Sequence, residues 1–224
     1  IEAAKVGAVA ALVRSMTLAL DNVPHTGAMR YLDSIPKIPS AAVSTIGAND
    51  LSALLNSGRN VRVQLVLNCE TLPDVESANV VGEIRGSEKP NEVIVIGGHL
   101  DSWDKGEGAH DDGAGCVQSM EALRLLKELG LKPKRTIRCV LFMNEENGLR
   151  GGKAYAATKH SPDEKHIAAI ETDAGGFAPL GFGATADSVT FEKFKSFSNA
   201  LEGIGADRIR KGGGGADVSA LGAA

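Results

Sequence analysis

Three short apolar runs between residues 93 and 172 are each followed closely by acidic or imidazole side chains, and this repetition constrains the fold most. The runs are residues 93–96, 137–143 and 167–172. The first of them is a continuous, β-branched apolar run of the kind buried on both faces of a parallel sheet. Because the carboxyl ends of parallel strands lie at one edge, the side chains that follow them should converge on one rim of the sheet.

Helical patterns separate these runs. Residues 116–129 carry Val117, Met120, Leu123 and Leu126 at helical spacing and are followed by Gly130, which predicts a helix over 113–129. A second helix is predicted over 149–159. Strands at 79–85 and 92–96 are expected to be neighbours joined by a polar turn. The alternation predicts the α/β class, with a mixed, mainly parallel sheet flanked by helices.

Outside this alternation the predictions concern single elements. We expect a helix over 2–15, a short helix capped by Asn49 or Asp50 and running through Leu55, and a strand over 61–67. Residues 71–77 should form a hinge. Residues 190–201 should be an amphipathic helix whose three phenylalanines, Phe191, Phe194 and Phe197, contact the core. The Gly-rich segment 212–217 lacks the lysine and the preceding strand of a phosphate-binding loop.

The side chains expected at the common rim include His99, Asp111, Glu146 and Asp173. Carboxylates gathered so closely would repel and raise one another's pKa unless a divalent cation lay between them. Mixed imidazole and carboxylate ligands suit zinc, although manganese or cobalt would also fit. One histidine and three carboxylates exceed what a single catalytic zinc requires, so we expect two metal ions sharing one carboxylate.

The motifs GGHLDSWDKGEGAHDDG, NEENG and ETDAGG, together with LGLKPKRTIR at 129–138, resemble the co-catalytic di-zinc exopeptidases. The resemblance is to the carboxypeptidase Q-like branch of that family and extends over most of the chain. It implies that His99 and Asp173 hold one zinc, that Asp111 bridges, and that Glu146 holds the second. It also implies a cis peptide bond between Asp111 and Asp112.

The resemblance implies that Glu145 is the general base, taking a proton from the attacking water and passing it to the leaving amine. Asp101 would orient the imidazole or support the base. The expected reaction is hydrolysis of dipeptides or short peptides. The family has one further histidine ligand after the position of Asp173, and no histidine follows Asp173 here. We therefore expect an incomplete fragment, inactive by itself, with an incomplete second zinc site.

The same resemblance assigns residues 1–72 to part of a protease-associated domain and 73–224 to the zinc peptidase domain. His25, in the first of these, is expected to have no chemical role. In the segment 212–217, Ala216 stands where the family loop has threonine, so no substrate contact is inferred from it. Two alternatives stay open: a receptor-type binding scaffold with a peptidase-like fold, and a glutaminyl cyclase-like transferase with one zinc.

Composition limits the partners. A net charge of −4 without a basic block argues against a nucleic-acid surface, and no apolar run approaches the length of a membrane span. The three cysteines show no metal-binding spacing, and Cys116 and Cys139 fall in apolar segments, which predicts buried thiols. The expected partner is a peptide or dipeptide. The resemblance also implies an exported protein, whether secreted, periplasmic or lysosomal, and allows for a homodimer.

Overall fold

The computed structural model describes residues 1–25, 27–158 and 161–222. The chain divides into two compact units, Ile1–Val75 and Glu76–Ala224, called the first and second unit below. The division lies inside the segment 71–77 that the sequence marks as a hinge. Within the described residues, no helix is long and apolar enough to cross a membrane.

The first unit contains two short strands that pair in parallel, and two helices. In chain order they are α1 (Glu2–Lys5), β1 (Ala11–Arg14), β2 (Ser40–Val43) and α2 (Thr45–Asn56). The predicted helix over 2–15 is wrong. The chain leaves the helix after Lys5, Gly7 takes a left-handed φ of +84°, and the following residues pair with β2 instead. Backbone pairing between distant segments therefore overrides a helical pattern of small apolar residues.

Two other predictions in the first unit also need correction. Residues 61–67 form no strand in the described structure, since no neighbouring segment supplies backbone partners for them. Helix α2 begins four residues before the predicted caps, because the Ser44 hydroxyl accepts a hydrogen bond from the Gly47 amide at 3.0 Å. The prediction that it runs through Leu55 is confirmed, since the helix ends at Asn56.

The second unit is built on a four-stranded sheet in the order β3–β5–β4–β6. Its strands are β3 (Val80–Ile84), β4 (Lys89–His99), β5 (Arg135–Phe142) and β6 (Lys165–Glu171). Strands β4, β5 and β6 are parallel and β3 is antiparallel, so the predicted mixed, mainly parallel sheet is confirmed. The predicted pairing of β3 with β4 is wrong, because β5 lies between them.

Helices cover both faces of this sheet. On one face, Cys116 and Leu123 of α3 (Ala114–Glu128) pack against Ile96, Cys139 and Leu141. The other face carries the larger buried cluster, which consists of Val93, Val95, Val140, Phe142, Tyr155 and Val218. Tyr155 belongs to α4 (Arg150–Ala157), which corresponds to the predicted helix over 149–159; Lys159 lies outside the described residues. Both cysteines are buried, as predicted.

The end of the second unit contains a further parallel strand pair and several short helices. They are β7 (Gly181–Ala184), α5 (Ser188–Lys195), α6 (Ser198–Leu201), a 3-10 turn (Glu202–Ile204), β8 (Arg208–Lys211) and a second 3-10 turn (Val218–Leu221). The predicted single helix over 190–201 is wrong: it is split at Ser196, and it begins earlier because Asp187 caps it. Phe191 is buried, but Phe197 is 58% exposed and is not a core residue.

Candidate metal site

Three of the predicted ligands meet at the carboxyl ends of β4 and β6. The imidazole Nε2 of His99 lies 3.1 Å from Asp111 Oδ1 and 3.3 Å from Asp173 Oδ1. These ligand atoms lie within 4.8 Å of one another. The convergence follows from the sheet register, because β4 and β6 run side by side and the Thr172 amide bonds the Gly97 carbonyl just before Asp173.

His99 itself is held firmly. It is the last residue of β4, pairs with Phe142 of β5 and is 1% exposed. Its Nδ1 lies 2.9 Å from the backbone carbonyl of Asp101, which leaves Nε2 directed at Asp111 and Asp173. A carbonyl accepting from Nδ1 selects the tautomer whose Nε2 lone pair is free to bind a metal ion.

The electrostatics around His99 favour a cation. Burial lowers the pKa of His99, but the hydrogen bonds to Asp173 and to the Asp101 carbonyl, with the charges of Asp173 and Asp112, raise it to about 10. Asp111 is the nearer carboxylate but is 63% exposed, so water screens its charge more than that of Asp173, which is 31% exposed. The carboxylates thus attract a positive charge at the position of Nε2.

Asp112, to which the sequence analysis assigns no role in the site, holds the backbone beside these ligands. It is 0% exposed, and its carboxylate accepts hydrogen bonds from the amides of His99 (2.9 Å) and Gly115 (3.0 Å). A Cβ at Gly98 or Gly115 would collide with that carboxylate, so both positions require glycine. The Asp111–Asp112 peptide bond is cis, as the resemblance implied. The sequence Asp111-Asp112-Gly113 does not indicate by itself which of the two aspartates is buried.

Glu145 and Glu146 lie in the loop that follows β5, the third strand of the rim. The Asp101 carboxylate accepts the amide of Glu145 at 2.9 Å and that of Glu146 at 3.3 Å. Its carbonyl contacts the imidazole, and its carboxylate oxygen Oδ1 lies 3.8 Å from Nδ1. Asp101 therefore links the imidazole to the loop, and Glu145 Oε2 comes to 3.9 Å from His99 Nε2.

Burial is the main cause of the raised pKa values of Glu145 and Glu146. It raises the pKa of Glu145 to about 7; the charge of His99 opposes the rise, whereas those of Asp173, Asp217 and Glu146 add to it. The pKa of Glu146 is also raised, by burial and then by the charge of Asp111. A carboxyl group with a pKa near neutrality can both accept and release a proton at physiological pH.

Glu146 carries a buried oxygen that nothing in the described structure neutralises. Glu146 Oε1 is buried without a hydrogen-bond partner in the described structure, and the charge of Asp111 is the strongest one acting on it. A buried carboxylate oxygen without a partner is costly unless a cation or a proton neutralises it. The donor set is therefore suited to hard or borderline divalent ions such as zinc.

Two further contacts join the loops at the rim. His110 Nδ1 accepts the Gly176 amide at 3.3 Å, and Gln118 Nε2 donates to the Gly175 carbonyl at 3.4 Å. Gly175 has a φ of +81°, and a Cβ there would collide with the His110 ring. These contacts connect the segments that carry Asp111 and Asp173, and residue spacing gave no signal for them.

The glycine-rich segment 212–217 ends in Asp217, another buried residue that the sequence did not mark. Asp217 is 1% exposed and its Oδ1 accepts the Gly152 amide of α4 at 3.2 Å. Burial and the charge of Glu171 raise the pKa of Asp217 to about 6. Glu171, in turn, accepts the Val218 amide at 2.9 Å, so this segment is fastened to both β6 and α4.

Comparisons with known proteins agree with this fold. Carboxypeptidase Q of Mus musculus is 40% identical over 219 residues, which cover 98% of this chain and 47% of that protein. The crystal structure of the Peptidase M28 precursor from Shewanella amazonensis SB2B is 38% identical and covers 99% of this chain and 51% of that one, with a TM-score of 0.87. An aminopeptidase from Aneurinibacillus sp. strain AM-1, 24% identical with a TM-score of 0.59 over 98% of this chain and 53% of that one, shares the fold.

The chain spans about half the length of the curated relatives it matches. The sequence profile of Peptidase family M28 matches residues 79–207, which is more than half of the chain and includes the whole rim described above. The resemblance inferred from the motifs is therefore confirmed, and the chain belongs to Peptidase family M28.

Proposed function

We propose that the protein is a zinc metallo-exopeptidase that hydrolyses dipeptides or short peptides at this rim. The observation that carries the proposal is the convergence of His99, Asp111 and Asp173, with the Glu145 carboxylate 3.9 Å from the imidazole. In this proposal His99, Asp111 and Asp173 would hold one zinc ion, and Asp111 and Glu146 would hold a second. Zinc, when bound, supplies a Lewis acid that polarises the scissile carbonyl and makes water more acidic.

The residues of the chain then have distinct tasks. Glu145, which no metal ion needs as a ligand, takes a proton from the attacking water and delivers it to the leaving amine. Asp101 fixes the direction of that base, since its carboxylate binds the amides of both Glu145 and Glu146. Asp112 fixes the backbone of His99, and the Asp101 carbonyl fixes its ring. Removing either support would move a ligand or the base.

The two alternative functions are less well supported. A receptor-type scaffold needs no convergent ligand set, yet His99, Asp111 and Asp173 lie close enough to share one ion. A cyclase-like transferase with a single zinc gives no role to a histidine at the position of His99. Both alternatives predict no peptide hydrolysis, so one assay separates them from the exopeptidase.

The remaining parts of the proposal rest on the resemblance. We assign residues 1–72 to part of a protease-associated domain and 73–224 to the zinc peptidase domain. The compact first unit, Ile1–Val75, agrees in extent with that assignment. A homodimer and export from the cytoplasm, to the periplasm, lysosome or exterior, belong to the same proposal.

The test uses the full-length protein loaded with zinc and the substitution Glu145→Gln, which removes the base but keeps the shape of the side chain. We expect kcat to fall by about 10²–10⁴-fold, the usual contribution of a general base, with zinc content unchanged. Glu121→Gln is the matched control, because Glu121 is an exposed residue on α3 whose pair with Arg124 contributes little.

The substrate panel should contain a free dipeptide and peptides blocked at the amino or the carboxyl end. Its members separate a dipeptidase, an aminopeptidase and a carboxypeptidase. Wild-type turnover by a zinc-loaded Glu145→Gln variant would contradict the proposed role of the base, and hydrolysis of none of the peptides by wild type would contradict the function.

A further inference from the structure

One asparagine outside the rim binds both ends of the loop that carries Glu145 and Glu146. Asn79 lies just before β3, and its Oδ1 accepts the Met143 amide at 3.0 Å while its Nδ2 donates to the Gly151 carbonyl at 2.9 Å. Met143 and Gly151 flank the loop 144–149 together with Arg150, the first residue of α4, and the Gly151 amide also bonds the Met143 carbonyl at 2.8 Å. A single side chain therefore connects the point where the loop leaves β5 to the point where it enters α4.

Only a carboxamide satisfies both partners. A flipped amide would set NH₂ against the Met143 N–H and oxygen against the Gly151 carbonyl, so the partners fix its orientation. A carboxylate would keep the first bond but place a second acceptor against that carbonyl. The fit is close: a Cβ on Gly151 would run into Asn79 Oδ1 and into the Met143 backbone.

The loop between these ends has a backbone that needs support. Asn144 and Leu149 have φ angles of +67° and +58°, in the left-handed region that residues other than glycine rarely adopt. Asp101 binds the middle of the loop through the amides of Glu145 and Glu146, whereas Asn79 binds its ends. The two side chains hold different parts of the same loop.

We propose that Asn79 is a positioning residue, which sets the place of the Glu145 carboxylate relative to His99, Asp111 and Asp173 without touching the substrate. The proposal rests on the proposed function, because it assigns Asn79 to the same site. Releasing the ends of the loop would let both glutamates shift relative to a rim that β4 and β6 hold in place. Catalysis by an oriented base is sensitive to displacements of about 1 Å.

The test compares full-length, zinc-loaded wild type with Asn79→Ala, Asn79→Asp and Asn91→Ala. The last is a matched control, since Asn91 is an exposed asparagine on β4 of the same unit. We expect Asn79→Ala and Asn79→Asp to lower kcat about tenfold to a hundredfold. KM should change by less than about threefold, because the substrate contacts remain. The aspartate variant keeps the side-chain volume, so it still tests the hydrogen bonds if the alanine variant is unstable.

A second readout is independent of activity. Amide hydrogen exchange over residues 144–151 should be faster by about tenfold or more in both Asn79 variants and unchanged in Asn91→Ala. Wild-type kcat together with wild-type exchange in the Asn79 variants of an active enzyme would overturn the positioning role. If the wild-type enzyme hydrolyses no peptide, the proposed function fails instead, and the exchange rates alone decide whether Asn79 holds the loop.

Discussion

The two units of this chain bury different kinds of side chain. In the second unit the sheet encloses large apolar residues, with Val93, Val95, Val140 and Phe142 all at 0% exposure. In the first unit the buried side chains of the described residues are small or polar, namely Ala4, Ser15, Ser44 and Thr45. The second unit is thus held by apolar packing, whereas hydrogen bonds from side chain to backbone carry more of the structure in the first.

This difference explains where reactive groups can be placed accurately. His99 continues directly from a buried strand, so its position is fixed by the packing and the register of its neighbours. In the first unit, the buried hydroxyls of Ser15 and Thr45 bond the carbonyls of Val43 and Asp21 at 2.8 and 3.1 Å. Those hydroxyls are used for structure, and no metal-binding cluster lies among the described residues of that unit.

The largest expected effect contrasts a core side chain with an exposed one. Phe142→Ala should lower the free energy of unfolding of the second unit by about 3–5 kcal/mol, because it leaves a cavity in a closely packed cluster. Val66→Ala should change the free energy of unfolding of the first unit by less than about 0.5 kcal/mol, since Val66 is 70% exposed. Urea denaturation followed by circular dichroism measures both. Similar losses for the two variants would remove the contrast between the units.

The thiols provide a second comparison. Burial raises the pKa of Cys116 to about 11 and also raises that of Cys139, whereas Cys69 in the first unit is exposed. At pH 8 only roughly 0.1% of Cys116 is the reactive thiolate, so Cys69 should react with a thiol reagent at least about 100-fold faster. Because the raised pKa keeps the Cys116 thiol protonated at pH 8, raising the pH towards 11 should speed its reaction.

Stopped-flow absorbance with an aromatic disulfide reagent resolves these phases. Urea should make the three rates similar, which serves as the control for access. Rapid reaction of all three thiols in the folded protein at pH 8 would contradict the burial of Cys116 and Cys139 between α3 and the sheet.

The smallest effect concerns the helix cap of the first unit. Ser44→Ala should destabilise α2 by about 1 kcal/mol, because the Gly47 amide loses its acceptor. Asn49→Ala is the control, since Asn49 is exposed within the helix and caps nothing. Amide exchange in α2 distinguishes the two. A larger loss of stability for Asn49→Ala than for Ser44→Ala would favour Asn49 as the helix cap, as the sequence predicted.

The successes of the sequence predictions belong mainly to the second unit. Strands β4, β5 and β6 each contain one of the three apolar runs, which favour a sheet, and the end of each run marks the rim. Such a pattern is local, so it can be read without knowing what packs against it. The order of the strands is not local, and β3 was therefore paired with the wrong neighbour.

The residues that the sequence missed act through contacts between distant segments. Asp112, Asn79 and Asp217 each bind backbone amides from another element, and their spacing carries no period that would reveal this. In the first unit the helical pattern of residues 2–15 was outweighed by pairing of Ala11–Arg14 with Ser40–Val43. Sequence patterns thus indicated which groups meet at the rim and that Asp101 supports them, but not the supports that come from distant elements.

The most direct test of the central claim is anomalous X-ray diffraction from crystals of the zinc-loaded full-length protein, with data collected on both sides of the zinc absorption edge. We expect one peak about 2.0–2.2 Å from His99 Nε2 and from oxygens of Asp111 and Asp173, and a second peak beside Asp111 and Glu146. Zinc peaks elsewhere in the molecule, with none at His99, would contradict the account.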